Sequence, residues 1–528
     1  MTTASRPTPS PAMADSADVL VIGSGIAGCA AAIEAARAGA QVTLACAGGL
    51  FSGSSFFPGT WGLGLIGPKD DEDADDLAQT ILKVGCGVAD TDLVHTLVED
   101  IRPSMAWLVK LGAVLSRPAN EASAQQAAFI PCFDHKHRLW RGLTRDSTQR
   151  AFAAAFERLG IRVLARCELL NLIESDEAES RRITGALLFD HEGKRLVAIP
   201  ARAVVIAAGG TGGLFERSLT SRDVLSSAHG IALAHGCTLI NIEFMQMMPG
   251  LVAPRRNIVF NEKSFRYARM DPQPARELLE LRSTYGPFTS RLASRAIDLA
   301  IDRAGAAGMP LRYDFPTHDV PEFVRTFCDW LECEQGIARD EELRIALYAH
   351  ASNGGIRIDA HGSTGTAGLF AAGEVTGGMH GADRIGGLSS ANGLVFGRRA
   401  GQAAAAWAKS VPAAQGSPAV GCVTEGLSSA DARALTCRMR QTMSAHAMIS
   451  RTETGLSRAL ADIAEMRSDM NRLCGQEPEW TEAAAARAMR LQSQLALAEA
   501  MLGAMRARTE SLGSHYRADD TATDLPAA

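Results

Sequence analysis

Residues 373–401 read GEVTGGMHGADRIGGLSSANGLVFGRRAG and hold nine glycines among 29 positions. Glu374, His380, Asp383, Arg384, Ser389 and Ser390 are set between and just after them. A carboxyl, an imidazole and a guanidinium on so permissive a chain can close around a flat or anionic ligand. Glycine lets backbone approach closely and take positive φ. From Leu394 the pattern turns apolar and then Ala-rich through Ala408, which predicts a packed helix. A loop that ends on a helix N-terminus presents free N–H groups to an anion or a carbonyl. The competing reading is a glycine-rich surface loop with incidental charges. The stretch alone does not separate the two.

A second glycine group lies near the start. Asp18–Gly23 (DVLVIG) has the Val/Ile content of a buried parallel strand. It runs into Gly23-Ser24-Gly25-Ile26-Ala27-Gly28, then an Ala-rich helix to about Gly39 and a strand at Gln41–Leu44. Strand, GxGxxG, helix and strand together are a dinucleotide-binding pattern. Gly23 makes the tight turn, Gly25 admits a pyrophosphate, and Gly28 lets helix pack on strand. The pyrophosphate sits on the helix N-terminus, where the dipole favours it. An acid is expected after the second strand to hold a ribose, but the chain has Ala45-Cys46-Ala47. That contact must come from elsewhere or from backbone. Gly53–Gly67 (GSSFFPGTWGLGLIG) is a further glycine-dense loop, with aromatics suited to a flat ring. Ala201–Ala208 reads as another buried strand, ending in Gly209–Gly213, a second crossing of the sheet edge near the cofactor.

The elements that must position these residues need more than one core. A chain of 528 residues predicts two or three domains. Net charge is −6 with no basic block, which argues against nucleic acid. Eleven scattered cysteines without metal-type spacing read as reduced thiols, placing the chain in the cytoplasm. No apolar run is long enough to span a membrane, and the Pro/Ser-rich start lacks an apolar signal region. Residues 70–76 (DDEDADD) read as a solvated helix start. Helices are predicted at Leu77–Val84 and Leu93–Leu111, the second kinked or restarted at Pro103. Phe129–Arg141 gathers Asp134, His135, His137, Arg138 and Arg141, a poor metal set and a better polar wall beside a ligand or between domains. A helix at Ser147–Leu159, a strand at Arg162–Ala165 and paired strands at Ile183–Leu188 and Leu196–Pro200 follow. Ala430–Arg467 and Trp480–Arg508 read as long bundle helices. The resulting division is a disordered lead-in (1–17), a cofactor domain in two parts (18–234 and 350–410) and an inserted cap (235–349). A linker (411–425) and a helical C-terminal domain (426–528) complete it.

In this order and spacing, GSGIAG, GSSFFPGTWG, AAGGTGG, IEFMQMMPG, SRAI, AHASNGGI, GLFAAGEVTGGMHGADRIGG and RTESLGSHYRAD resemble a known family. It is that of the fumarate reductase and succinate dehydrogenase flavoproteins, with L-aspartate oxidase closest in character. The resemblance spans about Asp18 to Asp519. It implies an α/β fold: a two-part Rossmann-like FAD-binding domain, an inserted α+β capping domain and a C-terminal helical domain. It implies FAD bound by Gly23, Ser24, Gly25, Ala27, Gly28, Ser54, Ser55, Gly62, Ala208, Gly209, Glu374 and Ser389. Membrane-complex members attach FAD through a histidine in the loop after the second strand. No histidine precedes His95 here, so the FAD is expected to be noncovalent.

The resemblance also implies substrate residues. His350 and Arg384 match the family's substrate histidine and arginine. A guanidinium suits bidentate grip of a carboxylate, and a histidine adds a second donor. The alternatives are an ion pair of Arg384 with Asp383 or Glu374, and a hydrogen-bonded core histidine. Three departures follow. The family histidine of the Phe-Gln-Phe/Tyr-His-Pro motif is Met248 here. The proton-donating arginine has no matching context, and of Arg255, Arg256 and Arg266 the last is taken as the candidate. The glutamate by which aspartate oxidases read the amino group is missing from Phe129–Phe133. The implied function is FAD-dependent hydride transfer with a dicarboxylate or amino dicarboxylate. The alternatives are a flavoprotein component of a soluble fumarate reductase or succinate dehydrogenase system with an electron-transfer partner, and a flavin-binding protein without turnover.

Overall fold

Val19, Leu20 and Val21 are fully buried, as a parallel strand covered on both faces requires. They belong to the strand Ala17–Ile22, inside an eight-stranded sheet. In the computed structural model this sheet runs Arg162–Leu164, Val42–Ala45, Ala17–Ile22, Arg195–Ile206, Ile183–Asp190, Cys167–Glu174. Leu369–Ala371 and Ala12–Met13 also pair with Arg195–Ile206. The structure describes residues 11–126, 129–175, 181–316, 319–412, 426–474, 476 and 480–520. Residues 1–10 of the lead-in, 413–425 of the linker and 521–528 lie outside them. The described part of the lead-in is not wholly irregular. Ala12 and Met13 add in parallel to Val197 and Ala198, satisfying backbone groups that an edge leaves open.

Two expected strands prove to be one. Leu196–Pro200 and Ala201–Ala208 merge into Arg195–Ile206. Its first half pairs antiparallel with Gly185–Asp190 and its second half parallel with Ala17–Ile22. Pro200 sits where the strand changes partners, the place at which a missing N–H disrupts a ladder least. The helix Thr91–Lys110 runs through Pro103 without a restart. The helix Ile26–Arg37 packs on Leu388–Ser410. A Cβ at Gly397 or Gly401 would collide with the Ala27 or Ala31 carbonyl, so part of the glycine density there serves helix contact.

The second unit is a five-stranded antiparallel sheet, ordered Ile258–Val259, Met245–Ala253, Leu343–Ser352, Met309–Tyr313, Ala268–Met270. The strand Leu343–Ser352 carries the chain across the expected 349/350 boundary. The apolar core of this sheet is continuous with Met439, Ile463, Leu495 and Met501 of the C-terminal helices. The cofactor sheet has a separate core. The helix expected across Ala430–Arg467 is two, Ser429–His446 and Glu453–Leu473. The break is made by Thr452, which accepts the Gly455 N–H at 3.1 Å as an N-cap. No described helix is long and apolar enough to cross a membrane.

Arg451 fills that break, fully buried. It donates to the carbonyls of Ala447 (3.2 Å), Met448 (3.0 Å) and Glu243 (2.9 Å). His515 Nδ1 takes a further bond at 2.6 Å, and His515 Nε2 donates to the Arg508 carbonyl at 3.0 Å. That pattern needs a neutral ring, and burial together with Arg451 drives His515 down to about 2. The Glu243 bond joins the second unit to the C-terminal helices. Arg451→Met strips these carbonyls of their donor and is expected to lower unfolding stability by about 2–4 kcal/mol. Urea denaturation followed by tryptophan fluorescence checks it, and an unchanged midpoint would contradict this role.

Candidate functional site

A cavity of about 360 Å³ lies where the cofactor sheet meets the second unit. Its first wall is the turn after Ala17–Ile22. Gly23 has φ +113°, and a Cβ there would collide with the Ala207 carbonyl. Gly25 differs. The nearest protein atom to a Cβ there is Ser55 Oγ, 3.3 Å away. Its bare backbone is therefore dictated by what enters the cavity more than by the protein. Gly25 caps the helix Ile26–Arg37 without a side-chain cap, so the helix terminus faces the cavity with its dipole available. Ser55 Oγ accepts the Ile26 N–H at 3.1 Å, and Ser24 Oγ accepts the Phe51 N–H at 3.1 Å. Ser54 Oγ is buried without a protein partner. Ala27, Gly62, Ala208, Gly209 and Ser389 line the same cavity. Gly28 does not. It lies beneath the turn, where a Cβ would strike the Gly23 carbonyl.

Beside the segment that follows Val42–Ala45, Asp223 brings in a carboxyl from elsewhere in the chain. It lines the cavity, and its carboxylate occupies the position that a Cβ on Gly48 would need. No local pattern marks it, because it lies in an irregular segment far along the chain. Glu374 is also a lining residue, on the 3-10 turn Gly373–Val375. Its Oε1 accepts the Ser352 N–H at 3.0 Å, and burial raises its carboxyl. These features fit FAD: a helix N-terminus capped only by the Ser55 hydroxyl for pyrophosphate, an orphaned hydroxyl, and two carboxyls for sugar or ribityl hydroxyls.

The far end carries different chemistry. Arg384 is buried and donates through Nη2 to Gln246 Oε1 at 2.5 Å, while Gln246 Nε2 returns to the Arg384 carbonyl at 3.2 Å. Its Nε is buried without a protein partner. Asp383, one candidate ion-pair partner, is engaged elsewhere: it accepts from Thr289 at 2.8 Å and Arg291 at 2.8 Å. His350 enters through a strand irregularity. Gln246 pairs with Ala351 and Met247 with Ala349, so His350 is the extra residue between them. Such a bulge re-aims a side chain, and His350 lines the cavity with Nδ1 unpartnered. Burial, then Arg384, lowers it to about 3. The ring is neutral.

Arg266 is not part of this site. It is exposed and donates to Ser283 Oγ from Nε (3.2 Å) and Nη2 (3.1 Å). Arg255 and Arg256 are exposed too, and none of the three lines the cavity. All three lie on the surface of the second unit. In their place the cavity has Glu262, which no sequence motif picked out. Its Oε1 is buried without a partner, and burial pushes its carboxyl up to about 7. The one local signal was its place two residues after the buried run Ile258–Phe260.

The segment Phe129–Arg141 makes the interdomain contact, while Asp134, His135, His137, Arg138 and Arg141 do not line the cavity. Cys132 lines the cavity, and the Ile130 carbonyl accepts from Lys263 of the second unit at 2.9 Å. Arg138 is buried against Asp134 (2.7 Å), Asp76 (2.7 Å) and Asp73. The acidic run is thus partly a clamp for this arginine, not only a solvated helix start. His135 packs edge-on against Tyr285 at 4.5 Å. The C-terminal motif braces the opening loop: Ser514 Oγ and Asn353 Nδ2 both donate to the Ala382 carbonyl, at 2.9 and 3.2 Å.

Comparison with known proteins agrees with this geometry. A sequence profile for an FAD binding domain matches residues 18–390, and one for the fumarate reductase flavoprotein C-terminus matches 436–524. L-aspartate oxidase of Mycobacterium bovis is 30% identical over 96% of this chain and 93% of its own. One component of the fumarate reductase (CoM/CoB) of Methanothermobacter marburgensis is 28% identical over 95% and 94%. Among solved structures, the Mycobacterium smegmatis Sdh1 complex superposes with TM-score 0.77 at 24% identity, covering 96% of this chain and 89% of that one. An E. coli quinol fumarate reductase gives 0.76 at 22%, covering 97% and 92%. These structures share the fold. The chain therefore belongs to the family of FAD-dependent oxidoreductases that holds the L-aspartate oxidases and the fumarate reductase and succinate dehydrogenase flavoproteins.

Proposed function

We propose that this chain transfers hydride between noncovalent FAD and a carbon beside a carboxylate in a small acid. The aspartate and fumarate named for its relatives are the first compounds to test. One observation carries the reading: a buried guanidinium, held by Gln246 and with Nε free of protein partners, lines the same cavity as the phosphate-binding turn. Bound there, FAD supplies two-electron redox chemistry. Gly23, Gly25, Ser54 and Ser55 would hold its pyrophosphate. Asp223 and Glu374 would hold sugar or ribityl hydroxyls, and Ser389 would lie at the ring.

The chain's own residues do the rest. Arg384 keeps its charge when buried and grips one carboxylate. The neutral His350 adds a hydrogen bond without adding charge. Glu262 moves the proton, since a carboxyl poised at about 7 gives and takes one near neutrality. Anaerobic titration of the holoenzyme with a panel of acids, following loss of flavin absorbance, tests the activity. A flavin that no carboxylate bleaches or perturbs would sink it. Reoxidation by oxygen alone separates an oxidase from a flavoprotein that needs an electron-transfer partner.

Three variants test the assignments. Gly25→Val is expected to purify folded and without flavin, while the unaltered protein releases all its yellow colour on acid precipitation. Arg384→Lys should keep FAD and lose about 10- to 100-fold in kcat/KM, the scale of a lost charged hydrogen bond. Activity within threefold of the parent would remove Arg384 from the anchor role. Glu262→Gln should abolish an ionisation near pH 7 in the rate profile and cost about 100-fold in kcat. The same change flattens a stability trend. The raised carboxyl binds more protons folded than unfolded, so parent stability falls as pH rises from about 4.3 to about 7. A pH profile identical in parent and variant would exclude Glu262 as the proton carrier.

A further inference from the structure

The wall beside Arg384 is apolar. Gln246, which holds Arg384, and Met248 are two residues apart on one strand, so they share a face about 7 Å apart. Met248 packs with Leu219, Val259 and Tyr348 in a small cluster of its own. Met248, Leu219 and Val259 all line the cavity. Apart from the indole N–H of Trp61, which packs against this cluster, the donors on this wall are already committed. The Leu219 N–H donates to the Ala349 carbonyl at 2.9 Å and the Val259 N–H to the Gly59 carbonyl at 2.8 Å. The Tyr348 hydroxyl donates to the Leu251 carbonyl at 2.9 Å. Methionine offers no donor.

Charge points the same way. Arg384 is the one guanidinium or ammonium among the described residues lining this cavity, which also include the carboxyls of Glu262 and Glu374. A second carboxylate placed against Met248 would lose its water and gain no cation. Burying an uncompensated anion is strongly disfavoured. An uncharged or alkyl end there instead gains apolar burial.

We propose that the substrate is a carboxylic acid with one anionic end, held by Arg384, and an uncharged far end seated on Met248, Leu219 and Val259. This inference rests on reading Arg384 as the carboxylate anchor. It names a narrower substrate class for that site: alkyl monocarboxylates and the half-amides or half-esters of dicarboxylates.

Binding of three four-carbon acids to the FAD-loaded enzyme tests it. Succinate, succinamate and butyrate are titrated at pH 8, anaerobically, against the flavin spectrum. Succinamate and butyrate are expected to bind at least tenfold more tightly than succinate. Met248→His installs a donor on the wall, and there succinate should gain at least tenfold relative to butyrate. Met248→Gln, checked for full FAD content, gives the same comparison should the histidine disturb folding. Succinate binding tightest to the parent enzyme overturns the inference and leaves the anchor intact, provided Arg384→Lys weakens it. If no acid perturbs the flavin and Arg384→Lys changes nothing, the anchor itself is wrong, and the inference falls with it.

Discussion

Everything at this site depends on backbone packed against backbone at the carboxyl end of the cofactor sheet. The Gly23 N–H donates to the Ala45 carbonyl at 2.7 Å, and the Ala207 N–H to the Ile22 carbonyl at 2.7 Å. The Ala372 N–H donates to the Ile206 carbonyl at 3.0 Å. Four strands thus end within hydrogen-bond reach of one another. There is no room among them for a side chain at Gly23. From this one knot the chain leaves toward Gly25, Ala208 and Glu374. The cavity is where these departures diverge, as ligand sites in open parallel sheets are.

The far end is set by a different device. Residues 380–387 are largely irregular, and a glycine-rich loop does not hold a guanidinium in place by itself. Its position is imposed from four other segments. Gln246 takes the guanidinium and the Arg384 carbonyl, Arg291 and Thr289 take Asp383, and Asn353 and Ser514 take the Ala382 carbonyl. A flexible loop over-determined by partners in this way becomes rigid without regular structure. The C-terminal motif thus belongs to the site, although it touches no lining group directly.

Sequence made some of this legible and not the rest, for physical reasons. Gly23, Gly25 and Gly28 were readable because their roles are local: a turn, an open approach, a helix on a strand. That Glu374, Arg384 and Ser389 come together at one cavity was readable from motif order. Asp223 was not, since it reaches the end of Val42–Ala45 only through the folding of a distant segment. His350 was named, but its aim comes from one extra residue in a ladder, and strand periodicity cannot show that. Arg266 failed for the complementary reason. Its charge type suited proton donation, but the side chain points outward to Ser283. The break at 447–452 was hidden inside an otherwise helical pattern, where a threonine cap and a buried arginine replaced a helical turn.

On the proposed reading a carboxyl carries the proton where an arginine was expected, and this has a consequence for the whole pocket. A guanidinium stays protonated at any working pH, so it adds a fixed positive charge to whatever it serves. Glu262 has no such permanence. It is neutral when it holds the proton and negative when it does not, and burial sets that change near neutrality. A pocket with Arg384 and a neutral Glu262 carries one net positive charge at its substrate end, and with Glu262 ionised it carries none. Binding one carboxylate to Arg384 therefore favours the protonated form of Glu262. In that reading the substrate would load the proton carrier by its own charge. A second carboxylate would push the same equilibrium further and hold the proton too firmly for release, so the apolar wall at Met248 and the titrating carboxyl at Glu262 are matched to a substrate with one anionic end.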